Sequence, residues 1–282
     1  MVKIDLYLHT TISDGKLTPV DIVKLAKKKG LQVIAVADHD SIRGIRVAIR
    51  AGKKIGLKVI PAIEISCHWQ NERIHMLGFG IDINNKSLTT RLKKFNRWRR
   101  ERALKVIKKL SQIGFKICFS DLVKEVRGSI GRPHIARAVL AYQENRRRLK
   151  KKMRWGEFIE EYLVEGKPAF VKKKMIDAIE AIELIHRAGG LAIWAHPSYY
   201  TPDKRKILAF LKDFRAAGLD GLEVFFRSHH RPDVQFLHQL VERFNLCETA
   251  GSDFHDPKID KLGGFKTFNY SLDGVWNFIK KF

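Results

Sequence analysis

Short apolar segments recur along the chain and alternate with longer segments in which apolar residues repeat at helical spacing. Seven of the short segments are predicted to be buried strands, at residues 2–8, 31–37, 58–63, 73–80, 191–195, 219–226 and 246–251. Helices are predicted to lie among them, at residues 19–29, 42–55, 175–188, 204–217 and 233–244. This order of strands and helices predicts a parallel α/β sheet, either open or closed into a barrel.

Histidines and carboxylates stand at or near the ends of nearly all of these strands. The first strand leads to His9 and Asp14, the second to His39 and the third to Glu64. The later strands carry or release five more residues of this kind: His75, His196, Glu223, Asp253 and His255. Parallel α/β folds collect their ligands at the carboxyl ends of their strands, where these residues fall. Their recurrence indicates a functional site.

Several of these residues also have an ordinary structural interpretation. His75 lies inside an apolar strand and could be a core histidine with a hydrogen-bond partner, and Glu223 could be a plain strand-end carboxylate. Asp38 and Asp40 flank His39, where they could cap the following helix or orient the imidazole ring. Each position alone therefore stays open, and only the ordered set favours a site.

Residues 84–166 lack a strand pattern and are predicted to form an inserted helical subdomain, while residues 1–83 and 167–282 form the sheet. A long amphipathic helix is predicted at residues 86–116, with its basic residues largely away from its apolar stripe. A second basic run follows at residues 146–154. Charged helical faces are usually only solvated, but two of them beside one site could attract nonspecific nucleic acid.

Length and composition limit the class of protein. A chain of 282 residues with 45% hydrophobic content can bury a full core. Its three cysteines are too few and too scattered for a disulfide framework, which predicts a reducing, cytoplasmic location. The sequence shows no secretory signal pattern and no run of membrane-spanning length, so no membrane partner is expected.

The chain is strongly basic, with 54 Lys and Arg against 30 Asp and Glu and a formal net charge of +24. Such an excess favours anionic partners through electrostatic steering and raises nonspecific affinity for nucleic acid. A cell whose proteins are all basic would produce the same composition. The charge alone does not decide between these explanations.

The chemistry of the strand-end residues predicts a metal centre. Neutral imidazoles and carboxylates suit divalent cations of intermediate hardness. The candidates are too many for one ion, so two or three ions are predicted, held by His9, Asp14, His39, Glu64, His75, His196, Asp253 and His255. Neighbouring ions can activate water and neutralise charge on both the attacking and leaving oxygens of a phosphate ester, which makes phosphate ester hydrolysis the favoured reaction.

These residues lie in motifs that resemble one known family. The motifs are, in order, residues 5–15, 37–40, 64–66, His75, 131–136, 195–197, 221–224 and 251–255. Together they resemble the PHP (polymerase and histidinol phosphatase) family, and in particular its TrpH-like branch. That branch includes 3′,5′-nucleoside bisphosphate phosphatases and related 5′→3′ exoribonucleases. The similarity follows the motifs in order along nearly the whole chain.

The resemblance implies a distorted seven-stranded (β/α) barrel with a trinuclear site, commonly of manganese, with iron and zinc as alternatives. It places one ion on His9, Glu64 and Asp253. A second ion would share Glu64 and add His75 and His196. A third would use the remaining ligands: Asp14, His39 and His255.

The same resemblance implies substrate contacts outside the metal ligands. Arg132 and His134 belong to the motif Gly131-Arg-Pro-His134, which implies contact with the substrate phosphate or with the lining of the site. His229 matches a histidine of this branch and is expected to contact phosphate. His255 or a metal-bound water is expected to protonate the leaving oxygen, and Asp14, His39 and His255 are the residues expected to serve the chemistry directly.

One position departs from the family pattern, because Tyr7 stands where the family has the first histidine of Asp-Leu-His-x-His. A neutral phenol with a pKa of about 10 is a poor ligand compared with imidazole. Three outcomes are open: a weak or missing first ion, a tyrosinate held by the metals, or a pocket without turnover. The other ligand positions are intact, which favours a working enzyme with a modified first site.

The sequence therefore predicts a metal-dependent phosphoesterase acting on 3′,5′-nucleoside bisphosphates or on the 5′ ends of short RNA. A nucleic-acid-binding protein on a PHP scaffold with a degraded metal site is the main alternative, and Tyr7 and the positive charge both favour it. An exonuclease that accompanies a polymerase is a further alternative, although this chain contains no polymerase region. Metal content separates the enzyme from the binding protein.

Overall fold

A computed structural model describes residues 3–126, 128–149 and 153–282 of the chain. Its main sheet has seven strands in the order β1-β2-β3-β4-β6-β7-β8, and a short strand, β5, pairs with β3 outside this path. The strands are β1 Ile4–Leu8, β2 Val33–Val36, β3 Lys58–Trp69, β4 Glu72–Phe79, β5 Ile176–Asp177, β6 Leu191–Trp194, β7 Gly221–Phe226 and β8 Cys247–Gly251.

The two ends of the sheet meet, so the sheet is a nearly closed barrel. Leu8 and Phe254 form an isolated parallel bridge just beyond β1 and β8. The amide of His9 donates to the carbonyl of Phe254 at 2.9 Å, and the amide of Phe254 donates to the carbonyl of Tyr7 at 3.3 Å. The predicted α/β class and the distorted seven-stranded barrel are both confirmed.

The prediction that every strand runs parallel to its neighbours was wrong for β4. This strand pairs antiparallel with β3 and with β6. Gln70 and Asn71 join β3 to β4 with φ angles of 45° and 68°, the left-handed pair of a tight hairpin, which leaves no room for a crossover helix. His75 consequently lies within β4, opposite Ser66, and not at a strand end.

Twelve helices accompany the strands in the described residues. Thr18 caps the first of them, accepting from the amide of Asp21, and Pro19 occupies its first turn. They are α1 Pro19–Lys28, α2 Ile45–Ile55, α3 Lys86–Gln112, α4 Phe119–Glu125, α5 Arg132–Ala141, α6 Gln143–Arg148, α7 Trp155–Tyr162, α8 Ala178–Arg187, α9 Pro197–Tyr200, α10 Lys204–Ala216, α11 Arg231–Phe244 and α12 Asp273–Ile279.

The predicted helix boundaries were displaced where a capping residue was overlooked. The helix predicted from residue 175 begins at Ala178, because the side chain of Asp177 accepts the amide of Glu180 at 2.8 Å. The helix predicted from residue 42 begins at Ile45. The helix predicted from residue 233 begins earlier, at Arg231, with Pro232 in its first turn.

Helices α3 to α7 stand between β4 and β5, the region predicted to be an insertion. Leu88, Leu92 and Phe95, in the first half of α3, pack into the main hydrophobic core of the barrel. Later residues of α3 belong to a second hydrophobic cluster with α4, α5 and α7, which includes Leu110 and Phe158. The helices therefore have a small core of their own.

The second basic run, predicted at residues 146–154, lies partly outside the described residues, because residues 150–152 are not described. Its first part is helix α6, which contains Arg146 and Arg147.

Within the described chain, no helix has both the length and the apolar character needed to cross a membrane.

Candidate metal centre

The carboxyl ends of the barrel strands bring the predicted metal ligands into one cluster. His9 follows β1, His39 follows β2, and His196 follows β6. Two overlapping groups have potential ligand atoms within 4.8 Å of one another: His9, Asp14, His39 and His255 in the first, and His39, Glu64 and His75 in the second. Residues separated by more than two hundred positions in sequence thus share a single site.

Glu64 lies at the centre of this cluster and is fully buried. Its Oε2 is 3.2 Å from Nε2 of His9 and 2.8 Å from Nδ1 of His39. Its Oε1 contacts Nδ1 of His75 and is 3.9 Å from Nε2 of His196. Burial raises the pKa of Glu64, but the neighbouring imidazoles outweigh that effect, and the net shift of its pKa is well below the usual value.

Asp14 and Asp253 complete the cluster on the side of His255. Oδ1 of Asp253 is 3.0 Å from Nε2 of His9, and Oδ1 of Asp14 is 3.4 Å from Nε2 of His255. Nε2 of His39 lies 4.0 Å from Oδ2 of Asp14. The structure thus gathers all the predicted metal ligands, including His196, around Glu64.

A chain of hydrogen bonds determines which ring nitrogen of His9 carries the proton. The hydroxyl of Ser13 donates to Oδ1 of Asp38 at 2.6 Å and therefore accepts from Nδ1 of His9 at 3.2 Å. That arrangement leaves the lone pair of His9 on Nε2, which faces Glu64 and Asp253. In the same way, Nδ1 of His255 donates a hydrogen bond to the carbonyl of Asp253 at 2.8 Å, which leaves the lone pair of that ring on Nε2.

The residues present fit a group of divalent cations. Buried atoms of the cluster have no hydrogen-bond partner among the described residues: His9 Nε2, Asp14 Oδ1, His39 Nδ1, both Glu64 oxygens and His196 Nδ1. Several of them lie within ion-pair distance of one another, but without hydrogen-bond geometry, so lone pairs face lone pairs. Positive charge must sit between them, and the nitrogen and oxygen donors suit Mn²⁺, Fe²⁺ or Zn²⁺.

Carboxylates behind the cluster hold its loops and do not join it. Asp38 accepts the amide and hydroxyl of Thr10 at 2.8 and 2.7 Å, and also binds Ser13. Asp5 accepts the amide of Ser252 at 2.9 Å and that of Gly263 at 2.7 Å. Asp38 therefore acts on His9 through Ser13, whereas the sequence suggested that it might serve His39 or the next helix.

Glu223 is separate from the charged cluster. Its Oε2 accepts the amide of His196 at 2.8 Å, and its side chain is buried at the end of the barrel interior. Burial, reinforced by the charges of Asp253 and Glu64, raises its pKa well above the usual value. Glu223 thus positions the backbone of His196 from inside β7, and the prediction that it is a strand-end residue was wrong.

Tyr7 lies inside the site and is 1% exposed. Its hydroxyl is 3.3 Å from Nε2 of His196, and its ring stacks on that imidazole at 5.9 Å. Burial and the charges of Glu64 and Asp253 raise the pKa of Tyr7 well above its usual value. These causes act on the protein groups alone, so they favour the neutral phenol only as far as no cation lies beside it. A Cβ at Gly251 would lie 2.3 Å from Cβ of Tyr7, so glycine is required there.

A cavity of about 960 Å³ opens above the cluster, between the strand ends and the helices that follow β4. Tyr7, Asp14, His39, Glu64 and His196 form part of its floor. Basic residues form much of the rest of its lining: Arg73, Arg99, Arg102, Arg132, Lys172, Lys173 and Lys174. An acidic, imidazole-rich floor thus faces a strongly positive wall.

Sequence reasoning identified only Arg132 in this basic wall. Arg99 donates through Nε to Oδ2 of Asp40 at 2.8 Å, and through Nη1 to the carbonyl of Ile130 at 3.0 Å. Lys173 also reaches Oδ2 of Asp40, at 3.2 Å, and burial lowers its pKa to about 7. Asp40 thus pairs with two cations instead of capping a helix or orienting His39.

His134 and His229 do not lie among the described residues that line the cavity. Nδ1 of His134 accepts the amide of Gly131 at 3.0 Å, and burial lowers the pKa of His134 to about 4. His229 is 3% exposed, its Nδ1 donates to the carbonyl of Val224 at 2.9 Å, and burial lowers its pKa to about 4. Their contact with substrate stays a prediction that the geometry does not favour.

Comparison with known proteins agrees with this fold. The family model described as the PHP domain matches residues 5–208, and the chain belongs to that family. The chain is 35% identical over 255 residues to a 5′-3′ exoribonuclease of Haemophilus influenzae, covering 90% of each protein. It is 32% identical over 262 residues to a 3′,5′-nucleoside bisphosphate phosphatase of Chromobacterium violaceum, covering 91% of this chain and 88% of that protein.

Solved structures give the same result. A Chromobacterium violaceum protein described as an amidohydrolase with bound sulfate and no metal superposes with a TM-score of 0.87 and 29% identity, covering 99% of this chain and 96% of that one. A Bifidobacterium adolescentis protein described as a metal-dependent phosphoesterase gives a TM-score of 0.84 and 28% identity, with the same coverage. The predicted family and the predicted enzyme class, a phosphoric ester hydrolase, are confirmed.

Proposed function

We propose that the protein hydrolyses phosphate esters of nucleotides, with 3′,5′-nucleoside bisphosphates or the 5′ ends of short RNA as substrates. The observation that carries this proposal is the cavity above the cluster, in which buried metal-ligand atoms without hydrogen-bond partners lie opposite an arginine-rich wall. Such a cavity suits a phosphate, which needs cations on several sides. The relatives named as a bisphosphate phosphatase and an exoribonuclease, and the sulfate in the Chromobacterium structure, support the same chemistry.

The metal ligands proposed are those predicted from the sequence, for two or three divalent cations with manganese favoured: His9, Asp14, His39, Glu64, His75, His196, Asp253 and His255. When bound, such cations would activate water and neutralise charge on the phosphate. Asp38 and Ser13 keep the lone pair of His9 directed at the cluster. Glu64 contacts imidazoles on both sides and is the natural ligand to be shared between ions.

The residues proposed to act on the substrate are Arg132 and His255. Arg132 lines the cavity, and its planar guanidinium can bind two oxygens of the phosphate. Burial lowers the pKa of His255, but Asp253 and Asp14 outweigh that effect, and the net shift of its pKa is upward. Because Nδ1 of His255 is held by the carbonyl of Asp253, Nε2 would donate a proton to the leaving oxygen only while it is not bound to an ion.

We further propose that residues 84–166 act as a cover that closes the cavity and supplies Arg132. The basic face of α3 would add nonspecific affinity for RNA, and the protein would act in the cytoplasm, where its three unpaired cysteines remain reduced. A nucleic-acid-binding protein with a degraded metal site is the competing proposal. It predicts at most one ion per purified chain and no turnover.

Phosphate release by manganese-loaded protein tests the proposal, with adenosine 3′,5′-bisphosphate and 5′-phosphorylated RNA as substrates. Asp14→Ala and His39→Ala should each lower the rate by about 100-fold or more, since even the partners behind metal ligands are commonly worth 10- to 100-fold. Glu183→Ala, on the exposed side of α8, is the matched control and should keep full activity. Full activity in either site variant would remove these residues from the site.

A further inference from the structure

We propose that Tyr199 is the surface on which the nucleobase of the substrate stacks. This inference rests on the proposed function and deepens it, because it names the group that separates a nucleotide from a plain sugar phosphate. Stacking on an aromatic side chain tolerates any base, since every base presents a π-face. The protein would therefore prefer nucleotides to sugar phosphates without requiring one particular base.

The first observation is that part of the cavity wall is aromatic and apolar. Trp98, Phe170, Met175, Tyr199 and Tyr200 line the same cavity as the metal cluster and the basic residues. A phosphate is bound by cations and hydrogen-bond donors and gains little from such side chains. Apolar and aromatic lining residues instead suit a flat, uncharged part of a ligand. The cavity thus fits a substrate that extends from its phosphate to an uncharged ring.

The second observation is that Tyr199 has the most accessible ring for a ligand in this wall. Tyr199 is 54% exposed. Arg73 lies over the ring of Tyr200 at 4.8 Å, and Lys94 lies over the ring of Trp98 at 5.0 Å. In the part of the chain that the structure describes, no cation takes such a position over Tyr199. Its exposed surface is therefore left for a ligand.

The third observation is that other aromatic rings hold Tyr199 in place beside the metal cluster. Its ring meets those of Phe226 and Tyr200 nearly edge-on, with centroid distances of 5.7 and 4.9 Å and interplanar angles of 64° and 77°. Its centroid is 6.1 Å from the ring of His196, a proposed metal ligand. A ring that is already fixed loses little conformational freedom when it binds a ligand. A nucleotide with its phosphate at the cluster would place its base, one ribose away, beside this surface.

Kinetics with and without the base test the inference. Values of kcat/KM are measured with manganese-loaded protein for adenosine 3′,5′-bisphosphate and for base-free 1-O-methylribose 3,5-bisphosphate. The ratio of the first value to the second should fall by about 5- to 150-fold in Tyr199→Leu, the range expected when a stacked aromatic side chain is removed. Tyr199→Phe keeps the ring and should keep the ratio. Phe282→Leu, which removes an exposed ring outside the cavity lining, is the matched control and should also keep it.

Three outcomes would overturn the inference. An unchanged ratio in Tyr199→Leu would do so, and if both rates fell equally, Tyr199 would serve the phosphates or the fold instead. A fall in Tyr199→Phe as large as that in Tyr199→Leu would show that the hydroxyl binds the substrate and the ring does not. Uridine 3′,5′-bisphosphate should show the same kind of fall in Tyr199→Leu, and a fall confined to adenosine would indicate hydrogen-bond recognition of one base in place of stacking.

A binding experiment separates this inference from the proposed function. The adenosine bisphosphate and its base-free counterpart are titrated calorimetrically into wild-type and Tyr199→Leu protein treated with EDTA. The wild-type protein should bind the nucleotide more tightly, and the variant should lose most of that difference. If the difference is found but manganese-loaded protein releases no phosphate, the proposed function fails and the stacking surface stands. Release of phosphate together with equal affinities would overturn the stacking surface and leave the proposed function standing.

Discussion

Tyr7 is the residue at which this chain departs most clearly from its family. Its hydroxyl lies against Nε2 of His196, its ring is buried, and its Cβ lies against Gly251. Burial and nearby carboxylates raise the pKa of Tyr7, and a neutral phenol is a poorer ligand for a cation than an imidazole. The first metal position therefore has one nitrogen donor fewer than the family pattern supplies.

Replacing Tyr7 tests whether the missing nitrogen donor weakens metal binding at the site. Tyr7→His places an imidazole beside His196, and we expect the least tightly bound ion to gain on the order of 10-fold in affinity. The measurement is the metal content of dialysed protein, together with a manganese titration followed by electron paramagnetic resonance. The smaller ring leaves a void, so the melting temperature of the variant should fall.

Tyr7→Phe is the matched control, because it removes only the hydroxyl. If the hydroxyl merely fills space, this variant should keep the wild-type metal content and activity. A loss of activity in both variants, with no gain of metal in Tyr7→His, would show that the tyrosine has acquired a role of its own.

The site residues that could be identified from the sequence follow a local pattern, whereas the positions of those that were missed depend on tertiary packing. His9 and His39 follow apolar strands, and Glu64 follows the apolar first half of β3, so the local pattern marks all three as candidates although Glu64 lies inside its strand. Arg99 and Arg102 look like two of many basic residues on α3, and only the packing of separate chain segments buries them. His134 and His229 share family motifs, but one ring nitrogen of each is hydrogen-bonded to nearby backbone, and neither residue is among the described residues that line the cavity.

At the scale of elements, α3 connects the barrel to the other inserted helices. It has 27 residues, and Arg99 lies near its middle, 8% exposed. The guanidinium of Arg99 joins Asp40, next to His39, to the carbonyl of Ile130, which precedes α5 and its first residue, Arg132. One side chain thus links the segment that carries His39 to the start of the helix that carries the proposed phosphate contact, Arg132.

Arg99→Lys should weaken this connection while keeping the charge. An ammonium cannot reproduce the paired donors to Asp40 together with the bond to Ile130. We expect KM for the nucleotide to rise by about 10-fold, because Arg132 loses its fixed position, and the free energy of unfolding to fall by about 1–3 kcal/mol. The measurements are steady-state kinetics and urea unfolding.

Arg97→Lys, two positions away on the exposed side of α3, should change neither quantity. A lower unfolding free energy with unchanged KM and kcat would mean that Arg99 supports the fold only. That result would contradict its role in positioning Arg132.

At the scale of the whole molecule, the question is whether the net charge of +24 serves a physical role. The cavity wall explains a few of the positive charges, and exposed lysines of α3 account for others. Lys94 lies 5.0 Å from the ring of Trp98, which lines the cavity, so this part of α3 borders the entrance. An RNA strand that leaves the cavity there would pass over the basic face of α3, whereas a mononucleotide would not reach it.

This geometry predicts different salt dependences for short RNA and for a mononucleotide. Each phosphate of a single strand that the protein neutralises should contribute about −0.7 to the slope of log affinity against log salt. The affinity for a 5′-phosphorylated RNA of about ten nucleotides should therefore fall more steeply with salt than that for adenosine 3′,5′-bisphosphate. Fluorescence anisotropy with EDTA-treated protein, from 50 to 300 mM potassium chloride, measures both slopes.

A charge-matched pair of variants assigns the RNA slope to a surface. Lys93→Gln with Lys94→Gln removes two charges at the cavity entrance, and we expect the slope for RNA, but not for the bisphosphate, to become shallower by about one unit. Lys53→Gln with Lys54→Gln removes the same charge from the last turn of α2, next to the start of β3 and thus at the opposite end of the barrel. If both pairs change the RNA slope equally, the charge acts through the overall field and the basic face of α3 has no special role.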